Sequence, residues 1–279
     1  MSGRVSVIVA AYNEERHIAE CLDSLLAQTY GDMDVLVADD GSKDRTAEVV
    51  RRYPSVRLLN RPHEGKASAI NAAAREVSGD IVVFLDGDLW FEPTYIERLI
   101  APILSGQCLG TSHAEELVAN PSNAWSRCLQ SRHGLPPERR LMLSDDEVRA
   151  GTIVFRALPR ERFLAVGGFS DTGFLDDRSL FLKLGQRACF VRGALCRHHN
   201  PERLGEVFAS GVWGGKSVHY LHGARALVRY APPLAVLRAV ADAVRHRMPA
   251  MLVYLTVYET GVFWGVLKRA LGVERQMGA

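Results

Sequence analysis

The sequence predicts an α/β fold built on a mainly parallel sheet with flanking helices. In the first half of the chain, short β-branched apolar runs alternate with segments of helical periodicity, which is typical of βαβ units. Polar clusters follow three of these runs, and open α/β sheets bind ligands at the carboxyl ends of their strands. Because the runs are mostly apolar throughout, helices should cover both faces of the sheet. Four strands are predicted, at Val5–Ala10, Val35–Ala38, Val56–Leu59 and Ile81–Leu85.

Three helices are predicted from apolar residues at helical spacing. The first starts at Asn13, which is followed by two glutamates that suit a helix amino terminus. The second starts near Ser42, and the third follows Gly65-Lys66. The first two helices therefore begin inside polar clusters that follow strands.

The segment from about 110 to 147 looks irregular, since it contains Pro121 and the pair Pro136-Pro137. We expect a mobile loop there. Four further elements are expected beyond it: a strand at 151–155, a turn at 167–168, a short helix at 179–184 and a strand at 188–191. These elements should complete the sheet.

The last 50 residues have a different character. Leu234, Leu237, Ala241 and Val244 share one face of a predicted helix, and residues 249–267 are almost wholly apolar apart from a central glutamate, Glu259, and two threonines. That run approaches the ~20 residues that span a bilayer, but an ionised glutamate at the centre costs about 2.5–3.5 kcal/mol. Three alternatives stay open: an interfacial or re-entrant helix, a buried core or dimer helix, and a membrane span.

Composition and charge narrow the class of protein. The net charge of +2, from 34 basic and 32 acidic residues, argues against nucleic acid as a partner. The five cysteines have no CxxC spacing, so we expect buried free thiols in a reducing cytosol. The first apolar run is too short for a signal peptide, and we expect a cytoplasmic location, at the inner face of the membrane if the carboxyl-terminal segment contacts lipid.

The triplet Asp86-Gly87-Asp88 is the strongest candidate for chemistry. Two carboxylates at the end of an apolar strand repel each other unless a cation lies between them. Mg²⁺ or Mn²⁺ favours carboxylate and phosphate oxygens and would stabilise a leaving diphosphate. Since Asp and Gly are common turn residues, the triplet alone is also compatible with a solvated turn.

Two other clusters support a nucleotide ligand. In the segment 39–44, Asp40 is a candidate ligand contact and Asp44 a candidate helix cap. Gly65-Lys66 places a glycine and a cation at a helix amino terminus, where a phosphate can bind. The spacing of a P-loop and the GxGxxG motif are both absent, which disfavours ATPases and dinucleotide-binding enzymes.

Taken in order, the segments 7–14, 39–46, 65–71 and 84–88 resemble the nucleotide-binding half of a family 2 glycosyltransferase with the GT-A fold. The resemblance continues through Gly167-Gly168-Phe169 and Asp176-Asp177-Arg178 to about His199, or roughly two thirds of the chain. Together with the apolar carboxyl-terminal run, it predicts three segments: a donor-binding half at 1–110, an acceptor-binding and catalytic half at 111–215, and a helical carboxyl-terminal segment at 216–279 that contacts a membrane if that run binds lipid.

The resemblance also implies roles for individual residues. Asp177 would be the general base, with Asp176 positioning the acceptor and Arg178 offering a charge to the diphosphate. Asp88 would bind the metal, joined by one of the pair His198-His199, for which we favour His199. The donor-binding residues implied are Ala11, Tyr12, Glu14, Asp40, Lys66, Asn71 and Asp86.

One departure from the family pattern concerns polymer synthesis. Processive relatives carry a glutamine- and arginine-bearing motif that ends in Arg-Trp, whereas the segment 209–216 keeps Trp213 without the preceding arginine. Trp213 is a candidate for stacking on an acceptor sugar, although packing in the core or a loop explains it equally well. A non-processive enzyme is therefore expected.

The resulting expectation is a metal-dependent, inverting transferase. It would move a sugar from a nucleoside-diphosphate sugar, with UDP-sugar preferred, to a hydroxyl of a glycan or lipid-linked acceptor. A polyprenyl-phosphate sugar transferase and a catalytically silent sugar-nucleotide-binding protein are the alternatives. A nucleotidylyltransferase is disfavoured because its glycine-rich motif is missing after the first strand.

Overall fold

The computed structural model describes residues 3–141, 143–170, 176–216 and 224–271, without the side chains of residues 176, 177, 216 and 224. The chain divides into two compact units. Unit 1 comprises Met1–Leu117, Leu141–Asp171 and Asp176–His198, and unit 2 comprises Val118–Arg140, Thr172–Leu175 and His199–Ala279. The three segments predicted from the sequence have other boundaries, and their functional division stays a prediction.

The strands in the described part of the chain are β1 Val5–Ala11, β2 Met33–Asp39, β3 Val56–Asn60, β4 Ile81–Asp86, β5 Leu89–Phe91, β6 Thr111–Val118, β7 Arg139–Leu141, β8 Ala157–Pro159 and β9 Cys189–His198. The helices are α1 Ile18–Leu26, α2 Thr46–Val50, α3 Lys66–Glu76, α4 Tyr95–Leu104, α5 Ala124–Arg132, α6 Asp145–Ala150, α7 Arg160–Ala165, α8 Asp176–Leu184, α9 Leu204–Lys216, α10 Ala224–Arg229, α11 Pro232–Arg245 and α12 Ala250–Ala270.

The sheet of unit 1 confirms the predicted α/β class. Its strand order is β3-β2-β1-β4-β8-β6-β9-β5. The four strands predicted from apolar runs, β1 to β4, pair in parallel. The strands that extend the sheet beyond β4 pair antiparallel, β8 with β4 and β5 with β9.

Apolar clusters cover both faces of the sheet, and β1 shows how the chain supplies both. Val7 and Val9 lie in one cluster with Leu22 of α1, while Ile8 between them lies in the other cluster with Ile70 of α3. Alternate side chains of a strand point to opposite faces, so a continuous apolar run fills two cores at once. The sheet edge is left for polar groups.

The described part of the segment from 110 to 147 forms regular secondary structure, whereas an irregular loop was expected. It contains the eight-residue strand β6, α5, β7 and α6. The strand expected at 151–155 is also wrong, because β8 lies at Ala157–Pro159. The strand expected at 188–191 is longer than predicted, because β9 extends from Cys189 to His198. β6 and β9 each contain one histidine and two charged residues, so apolar periodicity reveals neither β6 nor the second half of β9.

Two cysteines form a disulfide, which corrects the expectation of five free thiols. Cys108 and Cys189 are bonded, with Cα atoms 6.1 Å apart and 81 residues apart in sequence. The backbone N–H of Cys189 donates to the carbonyl of Gly110, which brings the start of β9 beside the segment after α4. Cysteine spacing did not reveal this proximity. Since disulfides are typical of oxidising compartments, the cytoplasmic location stays a prediction.

Unit 2 contains a closely packed helix pair, α9 and α12. A Cβ added at Gly211 of α9 would lie 2.1 Å from the carbonyl oxygen of Tyr258, and one at Gly261 of α12 would lie 2.4 Å from that of Phe208. Glycine removes the side chain and lets the two backbones meet, as in small-residue helix contacts. Length and composition alone make α12 a candidate membrane span. Within unit 2, one face of α12 is buried, including Tyr254, Leu255 and Glu259, while Leu252, Val253 and Trp264 are exposed.

Candidate active site

The carboxyl ends of β1, β2 and β4 meet at one edge of the sheet. Ala10 lies opposite Asp86 in the parallel register, and Ala11 lies opposite Asp39. Gly87 donates its backbone N–H to the carbonyl of Ala10 at 3.0 Å. The three polar clusters predicted to converge therefore lie side by side.

Asp86 lies between two cations. Lys66 Nζ contacts its Oδ1, and Arg156 NH1 donates to its Oδ2 at 3.0 Å. Burial alone would raise the pKa of the Asp86 carboxyl, but Lys66 and Arg156 outweigh burial and hold the pKa well below its usual range. Asp86 is therefore ionised, and the two cations beside it suit a phosphate-bearing ligand.

Asp88 lies against a histidine. His198 Nε2 is 2.9 Å from Asp88 Oδ2, and His198 Nδ1 is 2.8 Å from Glu116 Oε1. The second oxygen of Glu116 is 3.3 Å from His113 Nε2, and His113 Nδ1 is 2.9 Å from the hydroxyl of Tyr95. We call this row of five side chains the histidine relay; its members are Asp88, His198, Glu116, His113 and Tyr95. Each ring nitrogen of His198 therefore lies at hydrogen-bond distance from a carboxylate oxygen.

The antiparallel pairing of β5 with β9 builds this contact. Leu89 lies opposite His198, and Phe91 lies opposite Cys196. His198 therefore reaches Asp88, the residue just before β5. His199, the metal ligand expected from the sequence, lies in unit 2 with its Nδ1 3.9 Å from Glu202 Oε1. Of the histidine pair, His198 contacts the acidic triplet, and a metal contact of His199 stays a prediction.

Glu14 lies at the same edge of the sheet, in the loop that follows β1. Its backbone N–H donates to Thr46 Oγ1 at 2.8 Å. A Cβ added at Gly87 would lie 3.3 Å from Glu14 Cγ, so a glycine allows the triplet to approach this side chain closely. Burial and the negative charges of Asp88 and Asp86 raise the pKa of Glu14 to about 8. Three crowded carboxyl groups would bind a cation favourably.

The candidate nucleobase contacts lie beside Ala11. The buried Asp40 accepts the backbone N–H groups of Glu64 and Gly65 at 2.9 and 3.1 Å, and its N–H donates to the carbonyl of Ala11. Tyr12 stacks on His63 with ring centroids 4.2 Å apart, and His63 Nδ1 is 2.8 Å from Asp40 Oδ2. An exposed aromatic pair next to a buried carboxylate offers stacking and hydrogen bonding to a base.

Comparison with known proteins identifies the family. The family model described as Glycosyl transferase family 2 matches residues 6–160, which is more than half of the 279 residues. The chain belongs to glycosyl transferase family 2. The matched region contains every strand of the parallel half of the sheet and the acidic triplet.

Relatives of this family 2 glycosyltransferase cover parts of its length. The chondroitin synthase of Pasteurella multocida is 35% identical over 43% of this chain and 13% of its own. Glycosyltransferase GlyA of Streptococcus pneumoniae serotype 4 is 32% identical over 37% of this chain and 16% of its own. An uncharacterized glycosyltransferase of Haemophilus influenzae is 28% identical over 67% of this chain and 64% of its own. The chain thus spans less than a fifth of the first two relatives.

Solved structures confirm the GT-A fold. The mannosyltransferase PcManGT from Pyrobaculum calidifontis, in complex with GDP-Man and Mn²⁺, has a TM-score of 0.53 and 23% identity, covering 94% of this chain and 87% of its own. S. aureus TarS in complex with UDP has a TM-score of 0.54 and 16% identity, covering 92% and 90%. Identities this low show the fold and no more. The chain, a member of glycosyl transferase family 2, therefore has a GT-A fold.

Other predicted residues of the glycosyltransferase lie elsewhere or outside the described side chains. Asn71 donates to the carbonyl of Phe169 at 2.8 Å and accepts its N–H at 2.9 Å, so its amide braces the turn at 168–169. Its predicted donor contact stays a prediction. Trp213 is half-exposed on α9 of unit 2. Asp176 and Asp177 begin α8, but their side chains lie outside the described part, and Arg178 is exposed.

Among the residues that the structure adds to the site, Arg156 and Glu116 contact its predicted residues directly. Arg156 precedes β8, where its carbonyl accepts the N–H of Phe84 at 2.8 Å. Glu116 lies on β6, within the segment expected to be irregular. Neither residue belongs to a motif. The signal that could have found Glu116 is its spacing from His113, since a histidine and a glutamate three residues apart suggest a paired site.

Proposed function

We propose that the enzyme is an inverting transferase that moves a sugar from a UDP-sugar to a hydroxyl of a glycan or lipid-linked acceptor, one sugar at a time. The observation that supports this proposal best is that the two aspartates of the acidic triplet have different partners. Asp86 is neutralised by Lys66 and Arg156, whereas Asp88 faces His198. The first arrangement suits the donor and the second a metal ion.

The residues present fit a divalent cation. Asp88 Oδ2 and His198 Nε2 are 2.9 Å apart, close to the ~3 Å between neighbouring ligands of an octahedral ion with ~2.1 Å bonds. A carboxylate and an imidazole suit Mn²⁺, and Mg²⁺ also accepts the carboxylate. We assign Asp88 and His198 as ligands, with Glu116 orienting the imidazole. Bound there, Mn²⁺ or Mg²⁺ would stabilise the charge on the departing diphosphate.

The donor would occupy the sheet edge between the triplet and Tyr12. Lys66 and Arg156 offer charge to the diphosphate, and Asp86 accepts a hydroxyl of the ribose or sugar. The imide N–H of uracil can donate to Asp40 while the ring stacks on Tyr12. This combination supports UDP as the nucleotide.

The acceptor side rests on the family resemblance. In-line displacement inverts the anomeric centre and needs a carboxylate on the face opposite the diphosphate. We assign this base to Asp177, with Asp176 positioning the acceptor and Arg178 near the diphosphate. Trp213 is the proposed stacking surface for the acceptor sugar.

The experiment is sugar transfer and donor hydrolysis with UDP-sugars in the presence and absence of Mn²⁺ or Mg²⁺. Asp88→Asn should lower the turnover about a hundredfold or more, and Asp177→Asn should abolish transfer. The matched control is Asp146→Asn, which changes an exposed aspartate on α6 and should leave turnover unchanged. Full activity in both Asp88→Asn and Asp177→Asn would overturn the mechanism.

Two further measurements test the finer claims. The anomeric configuration of the product, read by NMR, should be opposite to that of the donor, and retention would refute inversion. Thermal unfolding with UDP and with GDP compares the two nucleotides directly, because a ligand that binds the native state raises its stability. A larger shift with GDP would reverse the assignment of the donor.

A further inference from the structure

The surface of helices α10 to α12 in unit 2 has an unusual composition. Among the described residues from 225 to 271, every exposed side chain is apolar or an arginine. The surface of a soluble domain normally mixes acidic and basic side chains at about a quarter to a third of its positions. The exposed residues are Arg225, Val228, Arg229, Pro232, Pro233, Leu234, Val236, Leu237, Val240, Ala241, Val244, Arg245, Arg247, Pro249, Leu252, Val253, Trp264, Arg269, Ala270 and Leu271.

Helix α11 has the reverse of the usual polarity. Leu237 and Val244 on its outer side are 66% and 74% exposed. Arg238 lies toward the protein, where its Nε donates at 2.9 Å to Glu259 of α12, a side chain that is 7% exposed. The predicted apolar face of this helix therefore points outward, whereas a helix of a soluble protein turns that face to the core.

The length of α11 and its packing against α12 indicate that α11 would lie on a membrane surface and would not cross the bilayer. With 14 residues, α11 is about 21 Å long, short of the ~30 Å hydrocarbon core of a bilayer. Although α12 is long enough, it buries Met251, Tyr254 and Leu255 in the core of unit 2 and holds Glu259 in its ion pair. The outward apolar face thus belongs to a short surface helix.

The charges around the apolar face decide between lipid and a second copy of the chain. Arg229 lies three residues before α11, Arg245 is its last residue, and Arg247 follows it. The two acidic residues of the described stretch 225–271 are Asp242, which is partly buried, and Glu259, which is buried. Two copies meeting at this face would bring like charges together, which is unfavourable. Anionic lipid headgroups complement the arginines, and acyl chains complement the apolar stripe.

We propose that α11 lies in the plane of an anionic membrane surface, with Leu237 and Val244 inserted among the acyl chains and Arg229, Arg245 and Arg247 on lipid phosphates. Arginine reaches the headgroups while its aliphatic stem stays in contact with the apolar region. The helix would hold the enzyme at the surface where a lipid-linked acceptor is found. Membrane binding rests on the geometry of unit 2 alone and is independent of the proposed sugar transfer.

The test is co-sedimentation of the full chain with vesicles, without donor or acceptor. Vesicles of phosphatidylcholine are compared with vesicles that also contain about 30% phosphatidylglycerol, a source of anionic headgroups. The protein should bind the anionic vesicles much more tightly, and binding should weaken as salt is raised. Equal binding to both kinds of vesicle, or to neither, would overturn the proposal.

Two double variants separate the apolar and the charged contributions. Leu237→Ser with Val244→Ser should lower the partition coefficient about tenfold or more. Arg245→Gln with Arg247→Gln should lower it about fivefold per charge on anionic vesicles only. These side chains are exposed, so thermal unfolding should show that both proteins remain folded.

The matched control changes exposed apolar residues of unit 1. Leu26 and Leu104 are 46% and 43% exposed, and Leu26→Ser with Leu104→Ser should leave vesicle binding unchanged. Loss of binding in this control as large as in the α11 variant would refute a specific role for α11. Self-association that the α11 variant abolishes, in a protein that binds no vesicles, would instead identify a second copy as the occupant.

Discussion

The histidine relay makes a quantitative prediction about metal binding. In Glu116→Gln the side chain keeps its shape but loses the charge that faces His198 Nδ1 at 2.8 Å and His113 Nε2 at 3.3 Å. In the proposed metal site, Glu116 would accept the Nδ1–H of His198, fix the orientation of the ring and make Nε2 a stronger ligand. Removing such a partner typically costs 10–100-fold in metal affinity.

The expected change is about tenfold for Glu116→Gln, which can still accept one hydrogen bond, and nearer a hundredfold for Glu116→Ala. These factors correspond to about 1.4 and 2.7 kcal/mol. The assay is a Mn²⁺ titration followed by electron paramagnetic resonance, with and without UDP. At saturating Mn²⁺ the turnover of Glu116→Gln should recover most of the loss, because the ligands themselves are intact.

Glu115→Gln provides the matched control. Glu115 is the next residue on β6, and its Oε2 accepts the backbone N–H of Gly193 at 2.8 Å, away from the histidines. The Glu115→Gln variant should bind Mn²⁺ with the same affinity as the wild type. The reasoning is refuted if Glu116→Gln also binds Mn²⁺ with wild-type affinity, or if both variants lose affinity equally.

Three further predictions concern stability. Gly211→Ala should destabilise unit 2 by about 1–3 kcal/mol, because the new Cβ meets a backbone carbonyl. Gly205→Ala on the same helix has open space and should be neutral or stabilising by about 0.5–1 kcal/mol, so equal urea midpoints for the two variants would contradict the close helix contact. For metal-free protein, the pKa of Glu14 is about 8 in the native state and near ~4.3 unfolded, so the native state holds a proton between these values and stability falls as pH rises, by up to ~1.4 kcal/mol per unit. Urea unfolding at several pH values should show a flatter dependence for Glu14→Gln, and an unchanged slope would rule out the raised pKa. Thiol titration of denatured, unreduced protein should find the three free cysteines, and Cys108→Ser should lower stability by about 2–4 kcal/mol. Five reactive thiols before reduction would contradict the disulfide.

The sequence alone determined the parallel half of the sheet and the position of the acidic triplet. A strand buried on both faces must be apolar throughout, so β1 and β4 are readable without any knowledge of their neighbours. Parallel strands end at the same edge, so residues as far apart as Asp40 and Asp88 could be placed together from local patterns. The apolar strands are a local property of the sequence, and the shared edge follows from parallel pairing of consecutive βαβ units.

Only the tertiary structure decided which side chains complete the site. Antiparallel pairing of β5 with β9 places His198 against Asp88, and a shift of one residue would have turned the other face of β9 to it. Arg156 reaches Asp86 from 70 residues away, and Glu116 reaches His198 from 82. The same holds for the outward face of α11, whose apolar periodicity is identical whether it faces a core or a membrane. Periodicity fixes which residues share a face, and only packing decides what that face meets.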